Sequence, residues 1–351
     1  MLRKGIYFTD IHWGKKSNSP SHTADCKNFI TWVCDLVRAD PSIDYVAFLG
    51  DWFDNRSAIH VGTLHSAYLG AEQLNDLGIP VFFVVGNHDL HLRNSRAVYS
   101  VVPYREFSNF TVIDSPTRIN DIKDGVLFVP FMFSDEYPQL VTYSDVPVWA
   151  GHFEFQGFRV TGYNVRMEHG PSADQFSGVR RILSGHFHAR QTEGNVTYIG
   201  NAFPMDYGDV NDNARGCALY DHDTHTVNFI DWPDAPAYRK YLLSDLVESI
   251  DGVTTNAFVK CILDAAIEYE DSVKLRQRVM QECNLREFVF EDVSRASTIT
   301  DEVTGGITEA YVPDGHEHAG VDGLVVSLLS EISDATIDSS LLVTEYKRLA
   351  P

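Results

Sequence analysis

Five short polar clusters, each directly after a run of apolar residues, constrain the fold of this chain more than any other feature. In chain order they are Asp10-Ile11-His12, Gly50-Asp51-Trp52-Phe53-Asp54, Gly86-Asn87-His88-Asp89, Gly151-His152 and Gly185-His186-Phe187-His188. The apolar runs before them have the length of buried strands and cover residues 6–9, 45–49, 81–85, 146–150 and 179–184. Carboxylates, an amide and imidazoles at successive strand ends predict one shared site.

Helical patterns separate the first three of these strands. Apolar residues at helical spacing predict helices over 26–37 and 60–77, and Gly78 stands where a C-terminal cap belongs. Strand, polar cluster and helix in repetition predict an α/β domain with parallel strands, which bind ligands at their carboxyl ends. Residues 196–199 and 218–221 are expected to form antiparallel strands around the loop at 206–216.

The sequence predicts three domains, with boundaries at 1–233, 234–292 and 293–351. The Pro- and Asp-rich segment 231–236 has the composition of a linker. Beyond it, a small α/β module is indicated by expected strands at 241–243, 257–263 and 286–290 and a helix at 272–282. The acidic last part is expected to contain a loop at 298–320 and helices at 323–332 and 341–349.

Charge and composition exclude several classes of protein. With 28 basic and 49 acidic residues the formal net charge is −21, so this is no generic basic protein that coats nucleic acid. If the chain handles nucleic acid, bound divalent cations are expected to hold the phosphates. No apolar run approaches the roughly 20 residues that cross a bilayer, and no signal stretch is seen. Five scattered cysteines without CxxC spacing predict reduced thiols, so a cytoplasmic protein without a membrane partner is expected.

The donor set of the five clusters suits divalent metal ions. Oxygen and imidazole ligands without cysteine favour Mn²⁺, Fe²⁺ or Zn²⁺. Asp10 and His12 lie two residues apart at a strand end and can face one ion, while the two carboxylate oxygens of Asp51 can bridge two ions. The glycines ahead of the later clusters are expected to let the backbone approach the metals.

The pattern DxH, GDxxD, GNHD, GH and GHxH resembles the calcineurin-like metallophosphoesterase superfamily. The resemblance implies a β-sandwich flanked by helices and a centre with two metal ions. It also implies that His88 protonates the departing alkoxide and that Asp54 orients His88. The implied ligands are Asp10, His12, Asp51 and His188 for the first ion, and Asp51, Asn87, His152 and His186 for the second.

The residues around the clusters resemble the SbcD (Mre-eleven) family of double-strand-break nucleases, and among them subunits of tailed-phage recombination endonucleases. The similarity covers residues 1–292 and is most specific at 50–60, 86–91, 151–158 and 198–201. Asp54-Asn55-Arg56 and Asp89 differ from the GDxxDRG and GNHE motifs of protein phosphatases. Asp54 also stands where archaeal and eukaryotic nucleases of the family carry histidine, which indicates the bacterial and phage branch.

The resemblance implies Mn²⁺-dependent DNA cleavage, with Mg²⁺ or another divalent ion as the other choice. The implied activities are 3′→5′ exonuclease on duplex ends and endonuclease, in recombination, repair or replication. The implied partners are DNA, a second copy of the chain bound through residues 60–74, and a coiled-coil ATPase of the SbcC (Rad-fifty) type bound by a C-terminal helix. The module at 234–292 would be a DNA-capping domain, and a viral protein would act in the host cytoplasm.

Further residues and two alternatives complete the interpretation. Candidates for DNA contact, chosen because they follow the metal motifs, are Arg56, His91, Arg93 and Arg96. Residues interpreted as solvated loop rather than a second metal cluster are His222, His225, His316 and His318. One alternative is a phosphodiesterase or phosphatase for small esters, which the long extension after Trp232 disfavours. The other is a non-catalytic scaffold, which the complete set of ligand positions disfavours.

Overall fold

The computed structural model of the chain describes residues 1–160, 165–210 and 212–292. Its strands are β1 (Lys4–Phe8), β2 (Tyr45–Phe48), β3 (Val81–Val84), β4 (Leu90–Leu92), β5 (Ser95–Tyr99), β6 (Phe110–Ile113), β7 (Thr117–Ile119), β8 (Val126–Val129), β9 (Val148–Gly151), β10 (Arg181–Ser184), β11 (Gln191–Glu193), β12 (Val196–Tyr198), β13 (Gly216–Asp221), β14 (Thr226–Asp231), β15 (Ala237–Leu242), β16 (Ala257–Ile262) and β17 (Glu287–Glu291). Its α-helices are the single turn α1 (Lys15–Asn18), then α2 (Pro20–Ala39), α3 (Val61–Asn75), α4 (Leu243–Glu248) and α5 (Tyr269–Glu282). The third expected domain, with its loop and C-terminal helices, lies outside the described residues.

Two six-stranded sheets form the body of the fold. The first has the order β14-β13-β1-β2-β3-β6, and its members β1, β2, β3 and β6 are parallel. The second has the order β11-β12-β10-β9-β8-β7, and its members β12, β10, β9 and β8 are parallel. The expected α/β fold with parallel strands is confirmed.

The sheets pack face to face, and each has a second apolar face. On β1, Ile6 and Phe8 point into a core with α2 and α3, whereas Tyr7 points into the layer between the sheets. In that layer the rings of Phe82 and Phe128 stack with centroids 4.7 Å apart. The alternation of strand side chains therefore builds a sandwich with helices on one outer face.

One strand pairing differs from the expectation. Residues 196–199 and 218–221 do not pair with each other, because β12 lies parallel to β10 in the second sheet and β13 lies antiparallel to β1 in the first. The Gly- and Asp-rich segment between them crosses from one sheet to the other. Strand content was therefore predictable here, but the choice of partner depended on distant parts of the chain.

A three-stranded parallel sheet, β15-β16-β17, forms the small module with α4 and α5. Leu243, expected in a strand, begins α4 instead. The module contacts α2 through Arg286, which donates two hydrogen bonds of 2.7 and 2.6 Å to the carboxylate of Asp25. Lys16 adds a second contact, because its ammonium donates to the hydroxyl of Tyr238 and lies 4.3 Å from the ring centre of Phe258.

His222 is buried, so its assignment to a solvated loop was wrong. The ring lies at the end of a chain of polar groups between the sheets. The hydroxyls of Tyr7 and Tyr45 are 2.5 Å apart, and that of Tyr45 is 2.7 Å from Nε2 of His222. Burial lowers the pKa of His222 from 6.5 to about 4, so the native state holds this ring neutral.

This burial makes the fold sensitive to acid. Because the unfolded chain binds a proton on His222 below pH 6.5 and the native chain only near pH 4, the contribution of His222 to stability is complete above pH 6.5 and is lost as the pH falls towards 4. Between pH 7 and pH 5 we expect this residue to account for roughly 1–2 kcal/mol of the fall in the free energy of unfolding. Urea unfolding of the wild type and of His222→Gln at both pH values measures this contribution. An equal fall in the free energy of unfolding in the two proteins would contradict the lowered pKa of His222.

Candidate metal centre

The five polar clusters meet at one edge of the sandwich. The loops after β1 and β2 are joined by hydrogen bonds from the amide of Asp10 to the carbonyl of Gly50 (2.9 Å) and from the amide of His12 to the carbonyl of Asp51 (3.2 Å). Asp10, His12, Asp51 and His186 adopt left-handed backbone conformations, with φ of 50°, 49°, 63° and 85°. Such φ values are uncommon outside glycine and concentrate at functional sites, where surrounding contacts hold them.

The first cluster consists of Asp10, His12 and His188. Nε2 atoms of the two histidines are 3.2 Å apart, and Oδ1 of Asp10 lies 3.8 Å from that of His12 and 3.9 Å from that of His188. Burial lowers the pKa of His12 well below 6.5 and that of His188 to about 3, which leaves both rings neutral. Oδ1 of Asp10 is buried without a hydrogen-bond partner. Neutral imidazoles and an unsatisfied carboxylate oxygen that converge in this way fit a cation.

The second cluster consists of Asn87, His152 and His186. Oδ1 of Asn87 lies 2.8 Å from both Nε2 of His152 and Nδ1 of His186, and these two nitrogens are 3.3 Å apart. Nδ1 of His152 is 2.7 Å from the carbonyl oxygen of Leu49, to which it donates, so Nε2 is the ring nitrogen that faces the cluster. The two clusters reproduce the two ligand sets expected from the motifs, although their role as ligands remains a prediction.

Asp51 lies between the clusters. Its Oδ2 is 3.9 Å from Nε2 of His12 and 3.5 Å from Nε2 of His152, while its Oδ1 accepts a 2.7 Å hydrogen bond from the amide of His88. Although burial disfavours a charged ring, the Asp51 carboxylate raises the pKa of His152 to about 9. The negative charge concentrated here thus favours a cation, and the position of Oδ2 fits a ligand shared by two ions.

Asp89 holds this arrangement together, a role that sequence reasoning missed. Its carboxylate accepts hydrogen bonds from four backbone amides, those of Asp51, Trp52, Phe53 and Gly86, at 2.9–3.1 Å. Burial and the charge of Asp51 raise the pKa of Asp89 to about 7. The sequence signal was the acidic residue that ends the third cluster, which had been interpreted only as a feature that separates branches of the family.

The glycines of the motifs leave room for neighbouring parts of the site. A Cβ on Gly50, whose φ is +102°, would collide with the ring of His152, and a Cβ on Gly86 would collide with the backbone and carboxylate of Asp51. These positions are therefore kept clear for neighbouring loops of the protein, which lets the two clusters come together.

His88 and Asp54 adjoin the first cluster. The His88 ring meets that of His12 edge to face at 4.9 Å. Nδ1 of His88 lies 2.8 Å from the backbone carbonyl oxygen of Asp54, not from its carboxylate, which instead lies 3.5 Å from Nδ1 of His12. Asp54 therefore contacts His88 through the main chain, contrary to the expected side-chain contact. Nδ1 of His88 is thus occupied by the main chain.

The four arginine and histidine candidates for DNA contact divide into two groups. Arg96 is committed within the fold, because its guanidinium bonds both carboxylate oxygens of Glu136 at 2.6 and 3.0 Å. Arg96 therefore has no free guanidinium with which to make the predicted contact with DNA. His91, by contrast, lies beside the Arg56 main chain, with Nδ1 3.5 Å from its carbonyl oxygen, and Arg93 is exposed at the following turn.

Several known proteins are similar to parts of this chain. Solved structures that match include a nuclease from Pseudomonas putida, with 15% identity, a TM-score of 0.31 and coverage of 64% of this chain and 87% of that one. A dimetal phosphatase from Danio rerio matches with 9% identity, a TM-score of 0.39 and coverage of 63% and 92%. Exonuclease subunit 1 of Enterobacteria phage T4 is 33% identical over 187 residues, which are 52% of this chain and 54% of the phage protein. The chain thus spans about half the length of this curated relative.

The sandwich with two clusters of candidate metal ligands at one edge is the fold of a dimetal phosphoesterase. The family model of the calcineurin-like phosphoesterases matches residues 6–190, which include all five motifs. The chain belongs to the calcineurin-like phosphoesterase family, so the resemblance seen in the motifs is confirmed.

Proposed function

We propose that this protein is a dimetal-dependent DNA nuclease with 3′→5′ exonuclease and endonuclease activity. The observation that carries the proposal is the two-cluster centre, in a chain that is 33% identical over 187 residues to a phage exonuclease subunit. The small module at 237–292, which follows the phosphoesterase match, supports a polymeric substrate over a small ester. Mn²⁺ is the ion we propose, with Mg²⁺ as the other choice.

The ligand roles follow from the clusters. Asp10, His12 and His188 would hold one ion and Asn87, His152 and His186 the other, with Asp51 shared. When bound, two such ions neutralise charge on the phosphoryl group and lower the pKa of the attacking water. The chain fixes its donors beforehand: Thr9 and the amide of His186 hold Oδ2 of Asp10 at 2.6 and 3.0 Å, so Oδ1 points into the cluster.

His88 is the proposed general acid. Because Nδ1–H donates to the carbonyl oxygen of Asp54, the ring is fixed with Nε2 available for the leaving oxygen. In its protonated form His88 would transfer the Nε2 proton to the departing alkoxide. The carboxylate of Asp54 would orient His12 through Nδ1, so Asp54 would support both histidines by different atoms.

The nuclease activity is tested on a linear duplex labelled at one 5′ end. With Mn²⁺ we expect a ladder of shortened labelled strands, and no cleavage after the ions are removed with EDTA, because the phosphoryl charge is then uncompensated. Bis-(p-nitrophenyl) phosphate serves as a small diester in parallel. Hydrolysis of the small ester alone would favour the small-substrate alternative, and no activity on either with ions bound would favour a scaffold.

We also propose that the protein works in an assembly. The exposed side of α3 carries apolar residues, Val61, Leu64, Tyr68 and Leu69, which suit contact with a second copy. A coiled-coil ATPase remains the proposed further partner, and the proposed processes are recombination, repair and replication. Within the described residues no helix is long and apolar enough to cross a membrane.

A further inference from the structure

A small hairpin extends directly from the metal centre. Strands β4 and β5 form a two-stranded sheet of their own that begins at Leu90, next to Asp89, and turns at Arg93-Asn94. Leu90 is buried, but Leu92 is 50% exposed and Val98 60% exposed. Leu92 lies beside the turn, whereas Val98 adjoins Tyr99, which pairs with Leu90 at the base of the hairpin. Because Asp89 is bonded to the loops of Asp51 and Gly86, this base is fixed to the centre, and the hairpin offers its two exposed side chains to an incoming molecule.

The hairpin itself carries no negative charge, unlike the chain as a whole. Residues 90–105 contain no acidic residue, in a protein with a net charge of −21. Arg96 and Arg105 are neutralised by Glu136 and Asp114, respectively. The hairpin therefore combines the exposed aliphatic side chains of Leu92 and Val98 with the exposed guanidinium of Arg93.

Two arginines beside the hairpin have no carboxylate partner among the described residues. They are Arg93 at the turn and Arg56, whose main chain lies against His91. Burial lowers the pKa of Arg56, and the positive charge of Arg93 acts in the same direction, while Asp51 opposes it. A partly buried guanidinium near a like charge is best compensated by a bound anion such as a backbone phosphate.

The depth of the centre suggests a function for the exposed aliphatic side chains of the hairpin. Asp10, Asp51 and His152 are buried, so a scissile phosphate has to leave the regular duplex surface to reach them. Unstacking a terminal base pair costs a few kcal/mol, which apolar side chains that replace the lost stacking offset. A duplex end matches both features of the hairpin, because its phosphates suit the guanidinium of Arg93 and its apolar base-pair face suits the exposed aliphatic side chains.

We infer that the β4–β5 hairpin separates the strands at the end of a DNA duplex. Leu92 and Val98 pack on the terminal base pair, while Arg56 and Arg93 hold phosphates of the strand that enters the centre. This inference rests on the proposed nuclease function and adds to it a preference for ends and a means of opening them.

The test is the double variant Leu92→Ser/Val98→Ser on two versions of one labelled duplex. In one version the end is fully paired, and in the other the last few base pairs are mismatched. The rate on the paired end is expected to fall about tenfold or more, and the rate on the mismatched end by less than about twofold, because opening is no longer needed there. Val141→Ser, which changes a 59% exposed valine outside the hairpin, is the matched control.

Each outcome separates this inference from the proposed function. Equal losses on both ends, or no loss on either, would overturn strand separation while leaving the nuclease in place. A wild type that hydrolyses bis-(p-nitrophenyl) phosphate but cuts no DNA would overturn both. Arg93→Ala is expected to weaken binding to both ends and to reduce the slope of log affinity against log salt by about one. Unchanged thermal melting and Mn²⁺ binding show that the variants are folded.

Discussion

Asp51→Asn is expected to reduce bound Mn²⁺ from two ions per chain to fewer than one and to lower phosphodiester hydrolysis by about 10³-fold or more. The reason is the place of Oδ2, within 4 Å of a histidine nitrogen in each cluster. Asparagine keeps the shape and an acceptor for the amide of His88, but removes the charge that both ions would share. Calorimetric titration with Mn²⁺ and the rate on bis-(p-nitrophenyl) phosphate measure the two effects.

Asp35→Asn is the matched control for charge, because Asp35 lies exposed on α2 in an ion pair with Arg38. It is expected to keep both ions and the full rate. Two tightly bound ions in Asp51→Asn would contradict a shared ligand, and a variant that melts with wild-type cooperativity but binds no metal would support it. Since the measurement counts ions as well as turnover, it does not depend on which substrate the protein uses.

The clustering of the candidate ligands could be predicted from the sequence because its signal is local. Asp10, Asp51 and His152 each follow a buried strand within three residues, and parallel strands bring such positions to one edge. The partner of a strand is not a local property, which is why the pairing of 196–199 with 218–221 was wrong. Any residue type supplies a main-chain carbonyl, so the sequence could not show that Asp54 contacts His88 through its carbonyl oxygen.

Net charge is likewise a property of the whole chain, whereas the charge available at a site depends on which side chains are already paired. The total of −21 argues against a basic coating protein but says nothing of the acid-free hairpin at 90–105. Sequence order alone grouped Arg96 with Arg93, yet one guanidinium is bound to Glu136 and the other is exposed. Which basic side chains are available to a phosphate depends on tertiary contacts, and only the structure distinguishes them.

His88→Ala is expected to leave two Mn²⁺ bound and to lower DNA cleavage by about 10²- to 10⁴-fold. His88 also forms a possible third ligand group with His12 and Asp54, so loss of an ion in this variant would show that it is a ligand and not an acid. The side chain is excluded from both main clusters, and its amide rather than its ring bonds Asp51. Ion counting therefore separates the two roles.

The leaving group tests the proton transfer itself. Because p-nitrophenolate is a weak base that departs without a proton, His88→Ala is expected to lower hydrolysis of bis-(p-nitrophenyl) phosphate by less than about tenfold. Asp54→Asn retains the carbonyl that holds Nδ1 of His88, so its losses on the two substrates should be similar to each other. Equal losses on both substrates for His88→Ala would contradict general acid catalysis. A loss confined to the poor leaving group would place the Nε2 proton of His88 in the step that breaks the DNA strand.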